Sequence, residues 1–240
     1  MILKTYDDIE TASKDAAGLV SDRIRKKPRF SLCTATGTSP TGLYRQLAVI
    51  VNSVEQPLDG LRLIKLDEWG GLDDDDPASC DSYLRRHLLQ PLRLDSDQFI
   101  GFSGNTDDPG QECDRIDARL RAIGQIDLTI LGIGANGHLG FNEPGARLTA
   151  ECHVASLAEM TLRHSMLSDA RAMPSYGLTL GMGNILRSKE IVVLVFGAEK
   201  AGVLRQLIDG GITTSFPASF LKLHPRVHCF CDRLAAMELS

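Results

Sequence analysis

A run of six apolar residues, IVVLVF at positions 191–196, is the feature that most constrains the fold of this chain. Four of these side chains are β-branched, which is typical of a strand buried on both faces of a parallel sheet. Shorter apolar runs recur along the chain, separated by segments whose apolar residues repeat at the spacing of an amphipathic helix. The alternation predicts an α/β fold with a doubly wound, mostly parallel sheet and helices on both faces.

The predicted elements follow one another without a repeat, a low-complexity linker or a break in composition. With 240 residues the chain is long enough for one domain with a substantial core, and we predict a single domain over residues 1–240. The predicted strands cover residues 30–34, 61–66, 98–102, 126–131, 153–157, 191–196 and 226–231. The predicted helices cover residues 7–27, a segment that opens at Pro40, and residues 82–89, 112–123, 158–167 and 199–208.

Charge and targeting signals narrow the class of partner. A formal net charge of −5 argues against nucleic acid or an anionic membrane as the main partner. No run approaches the roughly 18 apolar residues of a membrane span, and the N-terminal segment MILKTYDDIE lacks the apolar region of a signal peptide. We therefore expect a cytoplasmic protein whose six cysteines are free thiols, with Cys229 and Cys231 packed in the core rather than bound to a metal.

The carboxyl ends of the predicted strands carry the polar motifs, and ligands of open α/β sheets bind at that edge. The first motif, TATGTSPTG at positions 34–42, leads from a strand into a helix. Its backbone N–H groups and hydroxyls at Thr36, Gly37, Thr38 and Ser39 suit a phosphate, although a plain capped turn would look similar. It is not a Walker loop, because no G-K-[ST] follows.

The second motif is KLDEWGGLDDDDP at positions 65–77. Asp67 and Glu68 stand where a strand ends, and adjacent residues of an extended segment point to opposite sides. Only one of the two carboxylates therefore needs to face a pocket, where partial desolvation would raise its pKa and suit it to act as a base. A helix cap or a surface pair is the structural alternative, and the run at 73–76 is expected to be a solvated loop.

The third motif, LGIGANGHLGFNEPG at positions 131–145, contains a literal G-x-G-x-x-G. A dinucleotide fingerprint needs a long helix after its third glycine, and the glycines and the proline that follow exclude one. We therefore interpret the segment as a tight turn that displays Asn136, His138, Asn142 and Glu143. A carboxylate five residues after a histidine can hold the imidazole tautomer and tune its pKa; the alternative is a structural histidine.

The fourth motif is VFGAEKAGV at positions 195–203. Lys200 falls in the first turn of a predicted helix, where its charge opposes the helix dipole unless an anion offsets it. A second phosphate contact would explain this placement, and a lysine that reaches solvent is the alternative. Together the four strand ends predict proton transfer on a phosphorylated small molecule, without a metal or a nucleotide cofactor.

The segments TATGTSPTGLY, KLDEW and GIGANGHLGFNEPG resemble the glucosamine-6-phosphate deaminase/isomerase family, which shares its fold with 6-phosphogluconolactonases. The resemblance extends from about residue 22 to about residue 232, and GHLGFNEPG is its most specific part. The downstream segments ECHVASL, TLRHSML, LTLGMGNIL and PASFLKLH look closer to the galactosamine-6-phosphate branch. The resemblance thus implies conversion of galactosamine 6-phosphate to tagatose 6-phosphate, or of its C4 epimer glucosamine 6-phosphate to fructose 6-phosphate, with release of ammonia.

By resemblance, Asp67 is the base that moves a proton between C2 and C1, His138 assists opening of the sugar ring, and Glu143 orients His138. The segment 36–39 and Lys200 hold the phosphate. Family members often carry an aspartate where this chain has Asn136, so we expect the amide to orient His138 without exchanging protons. The candidate substrate contacts further include Glu68, Gly137 and His164; His164, or the neighbouring Arg163, stands near the position of a phosphate-binding arginine in the lid of many relatives.

Further expectations concern regulation and partners. His153 and Ala155 stand where some hexameric relatives carry the basic residues of an activator site, so we expect no activation by an N-acetylhexosamine phosphate. The expected partner is a hexosamine 6-phosphate, with no nucleic acid and no membrane, and a homo-oligomer stays open. The rival functions are a lactonase of the same fold, a sugar-phosphate sensor without catalysis and, least favoured, a dinucleotide-linked oxidoreductase.

Overall fold

The computed structural model describes residues 1–54 and 57–239. Its main sheet has seven strands, and every neighbouring pair in it is parallel. These strands are β1 (Ile2–Tyr6), β2 (Phe30–Thr34), β3 (Leu61–Lys65), β5 (Phe99–Ile100), β6 (Leu128–Gly132), β9 (Ile191–Val195) and β10 (Val227–Asp232), in the spatial order β1-β10-β9-β6-β2-β3-β5. The predicted α/β fold with a mostly parallel sheet is therefore confirmed.

Helices cover both faces of this sheet, and an apolar core lies beneath each set. On one face α1 (Ile9–Arg25) packs with α2 (Thr38–Ser53) over Leu32 and Ile130. On the other face α5 (Pro109–Ile123) and α8 (Ala201–Asp209) contribute to a core that includes Val193. The remaining helices are α3 (Cys80–Leu84), which continues through a π-helical turn into α4 (Gln90–Leu92), and the short α6 (Glu159–Leu162) and α7 (Met182–Leu186).

A second, antiparallel sheet was not predicted. It pairs β4 (Asp67–Gly70), β8 (Tyr176–Thr179) and β7 (His153–Ala155), in the order β4-β8-β7. Between β3 and β4, the Leu66 N–H still donates to Thr34 of the main sheet, while the Leu66 carbonyl accepts from Leu180 N–H beside β8. The chain thus leaves the parallel sheet at residue 66 and enters the small one at once, which places Asp67 at the junction of the two sheets.

Several boundaries differ from the predicted ones. Strand β1 was missed because it lies at the sheet edge, where its half-exposed residues show no continuous apolar run. The helix predicted at 158–167 is split into α6 and a 3₁₀ turn at Ser165–Asp169. The strand predicted at 98–102 contains only Phe99–Ile100.

The six cysteines are free and buried, and Cys229 and Cys231 pack into the core beside β9 as predicted. Within residues 1–54 and 57–239, no helix is long and apolar enough to cross a membrane.

Candidate active site

A cleft of about 250 Å³ lies beyond the carboxyl ends of β2, β3, β6 and β9. It brings together most of the predicted site residues, and in particular Asp67 and His138 open onto the same space. Parallel strands present their carboxyl ends at one edge, which explains why motifs more than 160 positions apart in the sequence meet here. The predicted residues that line the cleft are Thr36, Gly37, Thr38, Ser39, Asp67, His138, His164 and Lys200.

The loop between β2 and α2 forms one end of the cleft. Gly37 has a φ of 104° and precedes the first turn of α2, and no side chain caps that helix end. The Gly37 carbonyl is held by the hydroxyls of Thr41 and Tyr83, at 2.9 and 2.8 Å. The two hydrogen bonds to the Gly37 carbonyl therefore hold the loop in place. The uncapped N-terminus of the 16-residue helix α2 supplies a partial positive charge that suits an anion.

Two nitrogen-bearing side chains face the same end. Lys200 Nζ donates to the Ile133 carbonyl at 2.9 Å, and burial lowers the pKa of its ammonium group. The His164 ring lies opposite Gly37: its Nε2 would be 4.0 Å from a Cβ atom built there. His164 Nδ1 accepts from the Met166 N–H at 3.2 Å, so a neutral imidazole carries its proton on Nε2 and can donate it into the cleft.

The structure also separates the two residues proposed to replace the lid arginine. Burial first, and then the charges of His138 and Lys200, lower the pKa of His164, so it is a neutral donor at pH 7. Arg163, in contrast, has an 81% exposed side chain that pairs with Glu159 outside the cleft. His164 is therefore the residue of this pair that lies in the cleft.

Asp67 is the acidic residue of the cleft. Its carboxylate is buried, and Oδ1 has no hydrogen-bond partner. Desolvation, together with the negative charge of Glu68, raises the pKa of Asp67 to about 7, although Lys65 opposes the shift. A carboxylate with this pKa and a free oxygen suits a general base at neutral pH.

Glu68 faces away from the cleft, so its prediction as a substrate contact is wrong. Its Oε2 accepts from Lys65 Nζ at 2.6 Å and from the Asp81 N–H at 2.9 Å, and its Oε1 accepts from two further backbone N–H groups, at Trp69 and Cys80. Asp81 also lies 3.4 Å from Lys65 Nζ. We call Lys65, Glu68 and Asp81 the buried triad; strand alternation turns it away from the side that Asp67 faces.

His138 is backed by a short polar network. Its Nδ1 lies 3.4 Å from Glu143 Oε2, an ion-pair distance that is too long for a strong hydrogen bond. Asn136 donates to Glu143 Oε2 at 2.8 Å and accepts from the His138 backbone N–H at 3.2 Å. Glu143 and Asn136 do not line the cleft, so both could reach a bound ligand only through His138.

Glu143 is also tied to α6, where the Thr161 hydroxyl donates to Oε1 at 2.5 Å. Burial alone would raise the pKa of Glu143, but His138 and the hydrogen bonds from Thr161 and Asn136 lower it to about 2. Glu143 is therefore a permanent anion beside the imidazole. Sequence reasoning missed Thr161, because a threonine inside a predicted helix carries no signal of this contact.

Two glycines of the third motif leave space for the aromatic rings of His138 and Phe216. A Cβ atom at Gly134 would lie 2.3 Å from the His138 ring, so only glycine lets the imidazole fold back over the turn. At Gly137, φ is 87° and a Cβ atom would meet the Phe216 ring at 2.1 Å. Gly137 does not line the cleft, and its prediction as a substrate contact is wrong; its carbonyl instead accepts from the Ala218 N–H at 2.9 Å.

A larger depression of about 620 Å³ lies at the opposite edge of the sheet. Within it, Arg187 pairs with Glu151 at 2.8 Å, and Asn184 donates to the same carboxylate. In the part of the chain that the structure describes, no group of three or more His, Cys, Asp and Glu side chains is arranged to hold a metal ion. The cleft at Asp67 is therefore the candidate active site.

The chain is similar to known proteins along nearly its whole length. The sequence model described as glucosamine-6-phosphate isomerases/6-phosphogluconolactonase matches residues 7–229. The chain is 38% identical over 232 residues to a glucosamine-6-phosphate deaminase of Bacillus pumilus, with 96% of each sequence covered. It is 37% identical over 238 residues to glucosamine-6-phosphate deaminase 1 of Bacillus subtilis, with 98% of this chain and 97% of that protein covered.

Solved structures are similar to this chain at high and at low sequence identity. A structure described as a monomeric glucosamine-6-phosphate deaminase superposes with a TM-score of 0.95 at 36% identity, over 99% of this chain and 100% of that one. A 6-phosphogluconolactonase from Trypanosoma brucei superposes with a TM-score of 0.79 at 19% identity, over 100% of this chain and 98% of that one, which shows the shared fold alone. The chain belongs to the glucosamine-6-phosphate isomerase/6-phosphogluconolactonase family.

Proposed function

We propose that the protein is a hexosamine-6-phosphate deaminase/isomerase, which converts an amino-sugar 6-phosphate and water to a ketose 6-phosphate and ammonia. One observation carries the proposal: a buried carboxylate with a free oxygen and a pKa of about 7 shares a cleft with an imidazole and a phosphate-binding loop. The extent of the similarity to glucosamine-6-phosphate deaminases supports it.

The phosphate would bind at the α2 end of the cleft. The N–H groups at the start of α2, the hydroxyls of Thr38 and Ser39, and the donors of Lys200 and His164 supply its contacts. These contacts are remote from the reacting carbons, so their role is to fix the position of the sugar.

His138 would assist ring opening, by moving the proton between the anomeric hydroxyl and the ring oxygen. Glu143 stabilises the protonated imidazole that forms transiently, because its anion lies 3.4 Å from Nδ1. Asn136 holds that carboxylate and takes no part in proton exchange, since an amide does not titrate near neutral pH.

Asp67 would carry out the isomerisation. Its carboxylate removes the proton from C2 of the open-chain aldehyde and returns it to C1, through an enolamine. The resulting imine at C2 adds water and expels ammonia, which leaves the ketose 6-phosphate. Because the carboxyl group is desolvated, its proton affinity lies close to the range in which a base works at neutral pH.

The identity of the C4 epimer is the finer part of the proposal. The names of the relatives support glucosamine 6-phosphate, giving fructose 6-phosphate. The segments downstream of the third motif favour galactosamine 6-phosphate, giving tagatose 6-phosphate, and that preference stays a prediction. The related structure is described as monomeric, and the oligomeric state of this chain also stays open.

An ammonia-release assay with purified protein and no added metal tests the proposal on both epimers. We expect saturable release of ammonia and ketose 6-phosphate, in equal amounts, from at least one epimer. Opening of 6-phosphogluconolactone to the acid, with no ammonia from either amino sugar, would instead establish the rival lactonase. If the protein neither releases ammonia from either epimer nor opens the lactone, a sugar-phosphate sensor without catalysis is the rival function that remains.

The pH dependence of turnover should report the ionisation of Asp67. The base must be charged to accept the C2 proton, so kcat is expected to fall about tenfold per pH unit below about pH 7 and to level off above it. Steady-state kcat measured from about pH 5 to about pH 9 checks this. A kcat that stays flat down to pH 5 would contradict the raised pKa.

Removal of a phosphate contact should weaken substrate binding rather than chemistry. Lys200→Ala and His164→Ala are each expected to raise KM about tenfold or more, because a hydrogen bond to a charged group contributes about 1.5–3 kcal/mol, and to change kcat less. Arg163→Ala is the matched control: its side chain is exposed, so KM should not change. An unchanged KM in Lys200→Ala would mean that this lysine only bonds to Ile133.

A further inference from the structure

Trp69 has an indole N–H without a partner. It is the only tryptophan of the chain, it lies in β4, and it is 3% exposed. Its Nε1 is buried and makes no hydrogen bond. A buried indole N–H usually finds an acceptor, so an orphaned one at the wall of a cleft points to an acceptor that arrives with a ligand.

Strand geometry places this donor on the side of the reacting carboxylate. Alternate residues of a strand share a face. Asp67 lines the cleft, Glu68 turns into the buried triad, and Trp69 lines the cleft again. Two of the unpartnered buried polar atoms in the molecule, Asp67 Oδ1 and Trp69 Nε1, therefore belong to the same face of one short strand: an acceptor and a donor without protein partners.

The position of the indole along the cleft selects the part of the sugar that it can reach. Two residues of a strand span about 7 Å, so Trp69 lies a few ångströms beyond Asp67. Its ring centroid is 6.4 Å from that of His164, whose imidazole faces the phosphate loop at Gly37. The indole thus lies near both the carboxylate proposed to act on C1 and C2 and the imidazole at the end of the cleft proposed to hold the phosphate on C6.

We infer that the Trp69 indole N–H donates a hydrogen bond to the C4 hydroxyl of the bound hexosamine 6-phosphate and sets the preference between the two C4 epimers. The inference rests on the proposed function. A donor of fixed direction, held by packing of the indole against Phe141 at a centroid distance of 4.6 Å, meets the hydroxyl of one epimer and misses that of the other. Sites built around such a bond discriminate strongly, because the wrong substrate leaves the buried donor unpaired.

Trp69→Phe keeps an aromatic ring and removes the N–H, so it tests the inference directly. We expect kcat/KM for the preferred epimer to fall about tenfold or more, since about 1.4 kcal/mol corresponds to a factor of ten, and kcat/KM for the other epimer to change little. The ratio between epimers should therefore shrink towards one. An unchanged ratio, in a variant with the wild-type melting temperature, overturns the inference.

Tyr176→Phe is the matched control. It also removes one polar atom from an aromatic side chain near β4, but that hydroxyl bonds to the Gly104 carbonyl at 3.3 Å and does not line the cleft. The ratio between epimers should stay at the wild-type value. If wild-type protein releases ammonia from neither epimer, the proposed function fails as a whole; if it is active and Trp69→Phe keeps the ratio, only the role of Trp69 fails.

A measurement that does not depend on turnover uses the single tryptophan as its own probe. In Asp67→Asn, which lacks the base and should hold the sugar unreacted, intrinsic fluorescence is expected to change saturably with the preferred hexosamine 6-phosphate. The other epimer should produce a smaller change at saturation. Equal changes with both epimers, or none with either at concentrations that saturate a direct binding measurement, would overturn the proposed contact.

Discussion

Asp67→Asn is expected to lower kcat by about 10²-fold or more, while KM changes little. The amide has nearly the shape of the carboxylate and fits the same buried position, but it cannot accept the C2 proton. The phosphate contacts at the other end of the cleft are untouched, so the substrate still binds. Steady-state kinetics in the ammonia assay measure both parameters, and the residual turnover should lose the fall below about pH 7.

Asp75→Asn is the matched control for this substitution, because its carboxylate is exposed and pairs with Arg171 at the surface. We expect wild-type kinetics from it. Near-normal turnover in Asp67→Asn would remove Asp67 from the mechanism and leave His138 as the acid–base group of the cleft.

The same variant should be more stable than the wild type at neutral and higher pH. Asp67 has a folded pKa of about 7 against an ordinary value of 3.8, so the folded state binds this proton more tightly than the unfolded state. As pH rises from about 4 to about 7, ionisation favours unfolding by up to about 1.4 kcal/mol per pH unit, and the effect is constant above about 7. Urea unfolding of both proteins at two pH values measures the difference in their free energies of unfolding. That difference should be larger at the higher pH, and it is the stability that the buried Asp67 carboxylate removes from the folded state.

Lys65→Met is expected to have the largest effect on stability, a loss of about 3–5 kcal/mol in the free energy of unfolding. The ammonium group is fully buried against Glu68 at 2.6 Å and Asp81 at 3.4 Å. Without it, the fully buried Glu68 carboxylate loses its counter-charge, and Asp81 keeps only its ion pair with Arg85. For a chain of this size the melting temperature should fall by roughly 10 °C.

Lys4→Met provides the comparison. Lys4 also pairs with a carboxylate, Asp15 at 2.9 Å, but both side chains are at least two-fifths exposed, and such pairs contribute about 0–1 kcal/mol. Thermal unfolding of the two variants should therefore differ clearly. If Lys65→Met and Lys4→Met lose equal stability, the buried triad does not hold β3 and α3 together as the contacts indicate.

The sequence predicts the meeting of Asp67 and His138 because a parallel sheet brings the carboxyl ends of its strands to one edge. Strand β2, the following glycine loop and the run at 191–196 are local signals, since each combines a short apolar stretch with a turn that breaks it. These signals are sufficient for the layer order and for the location of the cleft.

Other features depend on tertiary contacts that no local pattern encodes. The small sheet contains strands of three or four residues, too short for a periodic signal. Alternation predicts that one of Asp67 and Glu68 is turned away from the cleft, but it does not say which. The link from Thr161 to Glu143 and the unpaired N–H of Trp69 emerge only once separate elements are packed together.

The sulfur chemistry of the folded chain follows from its burial. All six thiols are enclosed, and burial raises the pKa of each one that lies in a strand of the main sheet, Cys33, Cys229 and Cys231. Since only the thiolate reacts with alkylating or oxidising reagents, such reagents will modify a native molecule no faster than it opens. The rate at which iodoacetamide modifies these thiols then measures how often the interior is transiently exposed, and a bound sugar phosphate, which stabilises the folded state, should lower that rate.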